Sequence, residues 1–261
     1  LKNITRYTKK YKFTGDFNVE YFNRVLGDKD LFTDSRTNSF FVRWSHSQDQ
    51  RAKPNSNFSA SVNAGSTSNY RNDINASQQD YLTNTFQSSI TYNKSFYDSP
   101  WTVGVRLGHS QNSQTGNYTF TLPDVTINRA RTMPLAGLFN TGTKQKFYEK
   151  LGLTYSSTFR NQLDVHESQL ALDNWPHLKK EFKNGMQHNA GLSLPLKAGP
   201  LTITPSFNYT ERWYFKTFGQ TYNEELSVFE QDTISGFDRN YNYNFSTSVS
   251  TKVYGMFSFK K

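Results

Sequence analysis

The sequence contains no cysteine. Disulfides, thiolate metal sites and cysteine nucleophiles are therefore excluded together, although the absence assigns no compartment. Nor is there a run of about 18 apolar residues, so no transmembrane helix is predicted. Long stretches of Ala, Glu, Lys, Leu and Arg are missing, which argues against coiled coils and helical bundles. Only 34% of the 261 residues are hydrophobic, yet 16% are aromatic, too many for a disordered tail. What remains is an all-β protein. The 30 Lys and Arg exceed the 21 Asp and Glu, for a formal net charge of +9. Such a charge admits nucleic acid, an anionic surface or an anionic ligand as partner. The chain opens at Leu1 without a charged-then-apolar leader. It closes on a strand-like Phe257 to Lys261, so it is expected to be a piece of a longer polypeptide.

Successive side chains on a strand face opposite sides, and this period of two recurs along the chain. One face of the segment from Phe86 to Phe96 carries Phe86, Ser88, Ile90, Tyr92, Lys94 and Phe96; the other carries Gln87, Ser89, Thr91, Asn93 and Ser95. Trp101, Val103, Val105 and Leu107 alternate with Thr102, Gly104, Arg106 and Gly108. Leu201, Ile203, Phe207, Tyr209, Trp213 and Phe215 alternate with Thr202, Thr204, Ser206, Asn208, Thr210, Arg212 and Lys216. The pattern predicts roughly ten strands, near 11–24, 38–48, 56–66, 84–96, 101–112, 115–130, 147–165, 186–198, 201–217 and 240–259. Trp175 to Lys183 reads as a short helix or irregular loop. There is no fixed-period repeat, and residues 1–261 form one domain segment.

Such strands build either a soluble glycan-binding β-sandwich or an outer-membrane barrel whose apolar face meets lipid. Four features favour a transmembrane antiparallel β-barrel. Several strands exceed ten residues, whereas about 9–11 suffice to span lipid at a tilt. The polar faces are rich in small residues, as a wet, crowded lumen allows. Phe96, Trp101, Tyr209, Trp213 and Phe215 fit aromatic girdles at the two membrane interfaces. Connections 49–55, 97–100 and 198–200 are short and fall on one side of a meander. Long links near 67–83, 166–185 and 217–239 fall on the other. Links 131–146 and 112–115 break this rule. Pro205 lies mid-strand and lacks a ladder donor, which marks a bulge.

Certain strings carry a family resemblance: FFVRWSHSQDQRAKPNSNFSASVNAGS (Phe40 to Ser66), PSFNYTERWYFK (Pro205 to Lys216) and NYNYNFSTSVSTKVYGMFSFKK (Asn240 to Lys261). Together these resemble the LptD family, and more narrowly its Bacteroidota branch. The resemblance implies a central stretch of a larger outer-membrane barrel that places lipopolysaccharide into the outer leaflet. It further implies a lipoprotein plug of the LptE type in the lumen, periplasmic Lpt bridge components that deliver the lipid, and a lateral seam between first and last strands. The family's disulfide cysteines have no counterpart here, which implies no disulfide control in this stretch. A generic outer-membrane channel or nutrient receptor is the competing barrel.

Arg43, Arg106, Lys150, Arg160, Arg212, Lys216 and Lys252 all share parity with the small polar residues. Guanidinium and ammonium groups lining a lumen suit the phosphates and carboxylates of a glycolipid headgroup. The same cations also suit plain lumenal solvation or contact with a plug. No enzyme is expected. Gly137 to Lys144 (GLFNTGTK) inverts the order a phosphate-binding loop requires. His166-Glu167-Ser168 is no triad, since triads assemble in space. The five histidines show no metal-ligand spacing, and no cofactor is expected. The Asn-x-Ser/Thr matches at Asn3, Asn117 and Asn208 are chance in so Asn-rich a chain. Nucleic-acid binding is disfavoured, because stacking platforms need aromatics and cations on one face.

Overall fold

The computed structural model describes residues 1–26, 35–66, 85–138, 146–170, 172–223, 228–253 and 255. They form one antiparallel sheet of 12 strands. In chain order these are β1 (Lys2–Lys9), β2 (Phe13–Leu26), β3 (Ser35–Gln48), β4 (Ser56–Gly65), β5 (Thr85–Ser95) and β6 (Trp101–Asn112). Then follow β7 (Asn117–Thr132), β8 (Gly152–His166), β9 (Lys183–Ser193), β10 (Leu196–Ala198), β11 (Leu201–Asn223) and β12 (Val228–Thr251). Each strand pairs with the next, except that β9 and β10 lie end to end along one edge of β11. With no second sheet stacked on the first among the described residues, the sandwich alternative is overturned. The sheet is also open: β1 and β12 are its edges and do not pair with each other. The expected barrel is thus not closed within this chain.

The register supplies the sheet's inclination. One ladder row runs Thr8, Thr14, Ser47, Ser59, Thr91, Arg106, Asp124, Arg160, Gly185, Tyr214. Thr8 stands one residue from the end of β1, whereas Tyr214 stands thirteen residues from Leu201, at the same end of the sheet. That stagger is about 40 Å along the strands, against about 43 Å across them at 4.8 Å per step. If the short turns share a plane, the strands lean about 43° from its normal, near the 45° tilt of membrane-spanning strands.

Bulges keep the two faces separate. Between Thr121 and Asp124 β7 carries an extra residue relative to both neighbours, at Leu122–Pro123. Pro123 has no ladder donor to lose there, and Asn161 Nδ2 donates to the Leu122 carbonyl at 2.6 Å. Pro205 behaves otherwise than expected. It stays in register with Thr247 on β12, and its carbonyl accepts from Leu194 N at 3.0 Å. The donor it lacks would face the Leu194–Pro195 gap between β9 and β10, and no bulge forms at Pro205.

Several boundaries depart from the sequence reading. β1 was not anticipated, because KNITRYTK mixes cations into the alternation. Phe147–Lys150 is a 3₁₀ turn that precedes β8, so Lys150 is not on a strand. The predicted long link 217–239 is instead the continuation of β11 and β12, which run on as a paired hairpin past the end of β9. Of the short helix or irregular loop expected over Trp175 to Lys183, the structure has the helix: α1 (Trp175–Glu181) has Pro176 in its first turn and buries Leu178 against Leu163 and Val165. Part of the GLFNTGTK string, 139–144, lies outside the described residues, as do 67–84 and 256–261.

Charge is sorted by end. Turns 10–12, 49–55, 96–100, 133–151 and 199–200 lie at one end, where the chain leaves β12 as well. There Lys9, Lys10, Lys12, Arg51, Lys53, Lys94, Arg129, Arg131, Lys146, Lys150, Lys197 and Lys252 face only Asp49, Asp98 and Glu149 among the described residues. At the opposite end, the described cations and acids are equal in number.

Close strand packing at glycines gives a test. A Cβ on Gly104 would stand 2.7 Å from both Asn93 Oδ1 and Thr126 Oγ1, inside van der Waals contact. Gly104→Val is expected to destabilise the full-length protein by about 1–3 kcal/mol. The added Thr126→Ala should recover part of that loss. Thermal midpoints in detergent, followed by near-UV circular dichroism, provide the check; equal midpoints for Gly104→Val and the parent would refute the close approach.

Candidate functional site

The ladder places the sequence-predicted cations with unequal fidelity. Arg106 and Arg160 occupy one row, on either side of Asp124. Arg212 lies on the same face one residue pair away, opposite Gln187, and Lys216 follows it two residues on. Arg43 shares this face through Asn18 and Asn63. Lys150 and Lys252 do not join the set, since one is in the 3₁₀ turn and the other follows the end of β12.

Their partners divide the cations by availability. Arg160 gives Nε and Nη2 to Asp124 Oδ2 at 3.0 and 2.9 Å, so its charge is balanced. Arg212 donates to Gln187 Oε1 at 3.2 Å and Asn242 Oδ1 at 3.3 Å, neutral acceptors that leave its charge uncancelled. Arg106 makes no hydrogen bond or ion pair among the described residues, although it stands in register with Asp124. Lys216 Nζ reaches the Lys180 carbonyl at 2.5 Å, where a cation suits the carboxyl end of α1. Arg43 sits 5.2 Å from the Phe41 ring.

Two open clefts connect these groups. One, of about 430 Å³, is lined by Ser61, Ser89, Arg106, Thr121, Asp124 and Arg160, among others. The second, of about 610 Å³, shares Arg160 and adds Lys183, Arg212, Tyr214 and Lys216. Small residues between the cations leave room for a ligand to lie flat on the ladder. Such a surface can hold anionic oxygens by charge-assisted hydrogen bonds. Among the described residues, no group of three or more potential metal ligands occurs.

The opposite face is aromatic. Trp101 packs at 5.9 Å on Tyr155, whose hydroxyl meets His188 Nδ1 at 2.7 Å. His188 lies 4.2 Å from Trp213, which touches Phe237, and Phe237 touches Phe215. Glu211 is the one carboxylate on this stretch of β11; it accepts from Tyr209, Trp213 Nε1 and, at 3.5 Å, Arg239. With the strands leaning as they do, each residue climbs about 2.4 Å. Phe96 and Trp101 bracket a short turn. Trp213 and Phe215 stand about 29–34 Å above that level, close to the thickness of a hydrocarbon core. Tyr209 stands about 19 Å up, short of the second level, and sends its hydroxyl to Glu211.

Asp124 was missed from sequence for a physical reason. Strict alternation along β7 from Tyr118 and Phe120 puts position 124 on the aromatic face, and only the bulge returns it to the polar one. The signal available was Pro123 inside a strand-like run. Lys183 was missed because it read as the end of a helix.

A two-faced, steeply staggered meander with polar-face cations is now in view, and residues 1–261 match the family model described as LptD protein. The chain belongs to the LptD family. No curated protein matches it. LptD proteins serve lipopolysaccharide transport and assembly at the outer membrane, with lipopolysaccharide as substrate and Lpt-pathway partners, and at that general level the role carries over. No helix among the described residues is long and apolar enough to cross a membrane, which says nothing of strands.

Removing the acid at the centre of the cation row tests its role in this LptD sheet. Asp124 is 9% exposed, so Asp124→Asn leaves Arg160 without its counter-charge. A loss of about 1–3 kcal/mol is expected in urea unfolding of the full-length protein in detergent. Asp124→Asn combined with Arg160→Gln should cost less than the sum of the two singles; strict additivity would mean the pair is not coupled.

Proposed function

We propose that this chain is a stretch of barrel wall in an outer-membrane protein that inserts lipopolysaccharide into the outer leaflet, acting without catalysis. The small-residue face lines a wet lumen, and the aromatic face meets lipid. Arg106 and Arg212 guide phosphate and carboxylate groups of the headgroup along the two clefts, while Arg160, balanced by Asp124, spaces them. Acyl chains leave through a lateral seam formed where other strands of the full-length barrel meet. A lipoprotein plug of the LptE type occupies part of the lumen, and periplasmic bridge components deliver the lipid. The Bacteroidota branch is supported by the quoted strings alone.

The observation that carries this reading is the placing of Arg43, Arg106, Arg160, Arg212 and the small polar residues on one face of a sheet inclined about 43°, with Arg129 and Arg239 on the other face towards its two ends. The unpaired edges of β1 and β12 support the larger barrel, because open edges are not tolerated in lipid.

In-cell photocrosslinking of the full-length protein tests the route. Probes at Ser89, Thr154 and Ser206 lie on the polar face; Ile90, Leu153 and Ile203 are aromatic-face controls. Lipopolysaccharide adducts are expected at the polar sites and should vanish when export is de-energised. Adducts confined to the controls would mean ordinary lipid neighbours and would sink lumenal guidance.

A further inference from the structure

Among the described residues, most of the net positive charge resides at one end of the sheet. Twelve cations against three acids lie at the short-turn end, whereas the other end is near neutral among the described residues. These cations are interleaved with aromatic rings. Arg51 and Lys10 lie 4.6 and 4.9 Å from the Tyr11 ring. Lys94 covers Phe96 at 5.6 Å, Arg129 covers Trp101 at 5.6 Å, and Lys146 covers Tyr148 at 5.9 Å. The rim rings are open to their surroundings: Tyr97 is 81% exposed, Phe147 64% and Tyr11 53%.

We propose that this short-turn rim is a docking surface for anionic phospholipid headgroups in the leaflet on that side. The inference rests on the membrane-embedded reading above. Rings that belong at the boundary of the hydrocarbon and cations that reach past them to phosphate are what an interfacial anchor requires. The distribution selects a lipid surface over an acidic protein. The cations are spread over successive turns, about 43 Å across the strands and about 59 Å along the inclined rim, not gathered into one patch. With the strands inclined as in the membrane-embedded reading, those turns share one level, so a flat anionic sheet meets all of them together. An acidic protein of ordinary size covers only part of such a rim.

The test uses the full-length protein, reconstituted into vesicles of phosphatidylethanolamine with or without phosphatidylglycerol, and re-extracted for native mass spectrometry. The rim variant carries Lys10→Gln, Lys12→Gln, Arg51→Gln and Lys53→Gln; the control carries Lys179→Gln and Lys180→Gln at the other end. Each cation near an anionic surface is worth about fivefold in binding, so the rim variant should lose retained phosphatidylglycerol by at least roughly tenfold. The parent and the control should keep it, and salt should weaken the preference. Equal loss in the control, or no preference in the parent once inserted, would overturn the proposal and leave the barrel reading standing. Unchanged lipid retention with loss of a co-purifying periplasmic protein would overturn it in favour of a protein partner. Failure of the parent to enter either vesicle would overturn the membrane reading itself, and this proposal with it.

Discussion

The antiparallel register is the constraint on which everything else depends. With a side-chain period of two, a slip of one residue in any pairing would carry a whole strand's aromatics to the polar side. Across the rows from β1 to β11 no such slip occurs. Where β7 gains a residue it does so as a bulge, and the faces are restored immediately beyond it. The face on which Arg43, Arg106, Arg160 and Arg212 lie is therefore a property of the ladder and not of any one strand.

The same register sets the inclination, and the inclination sets the heights. Row by row the partners climb relative to the short turns, so residues far apart along neighbouring strands come to equal distances from that end. Trp101 begins its strand and Trp213 lies well inside another, yet they stand at opposite levels of one band. Long charged side chains at the turns are then free to leave that band; within it Arg160 and Arg239 hold acids, while Arg106 and Arg212 face the open clefts. Burying an ion is costly unless it is paired, and these arrangements avoid that cost.

The polar face gains its shape from what is missing on it. At Gly104 and Gly191 the absence of a Cβ lets Asn and Thr side chains of neighbouring strands lean across the gap. A surface of hydroxyls and amides held this low leaves the guanidinium groups of Arg106 and Arg212 standing above it. Lys216 is withdrawn from that surface by its bond to the end of α1, which shows that shared parity does not guarantee shared availability.

Alternation by itself determined the all-β class, most strand positions and the face on which Arg43, Arg106, Arg160 and Arg212 lie, because facing depends on local geometry alone. It also located the helix near Trp175. Features that depend on a neighbour were decided only by the tertiary structure. Strand β1 is held by its pairing with β2, and the 217–239 stretch is strand because its two halves pair with each other. Asp124 faces Arg160 because a bulge reverses its parity. The gathering of basic turns at one end required knowing which turns share an end. Sequence carries the periodicity of each strand, but the offset between strands is a non-local quantity, and from it come the inclination, the heights and the rim.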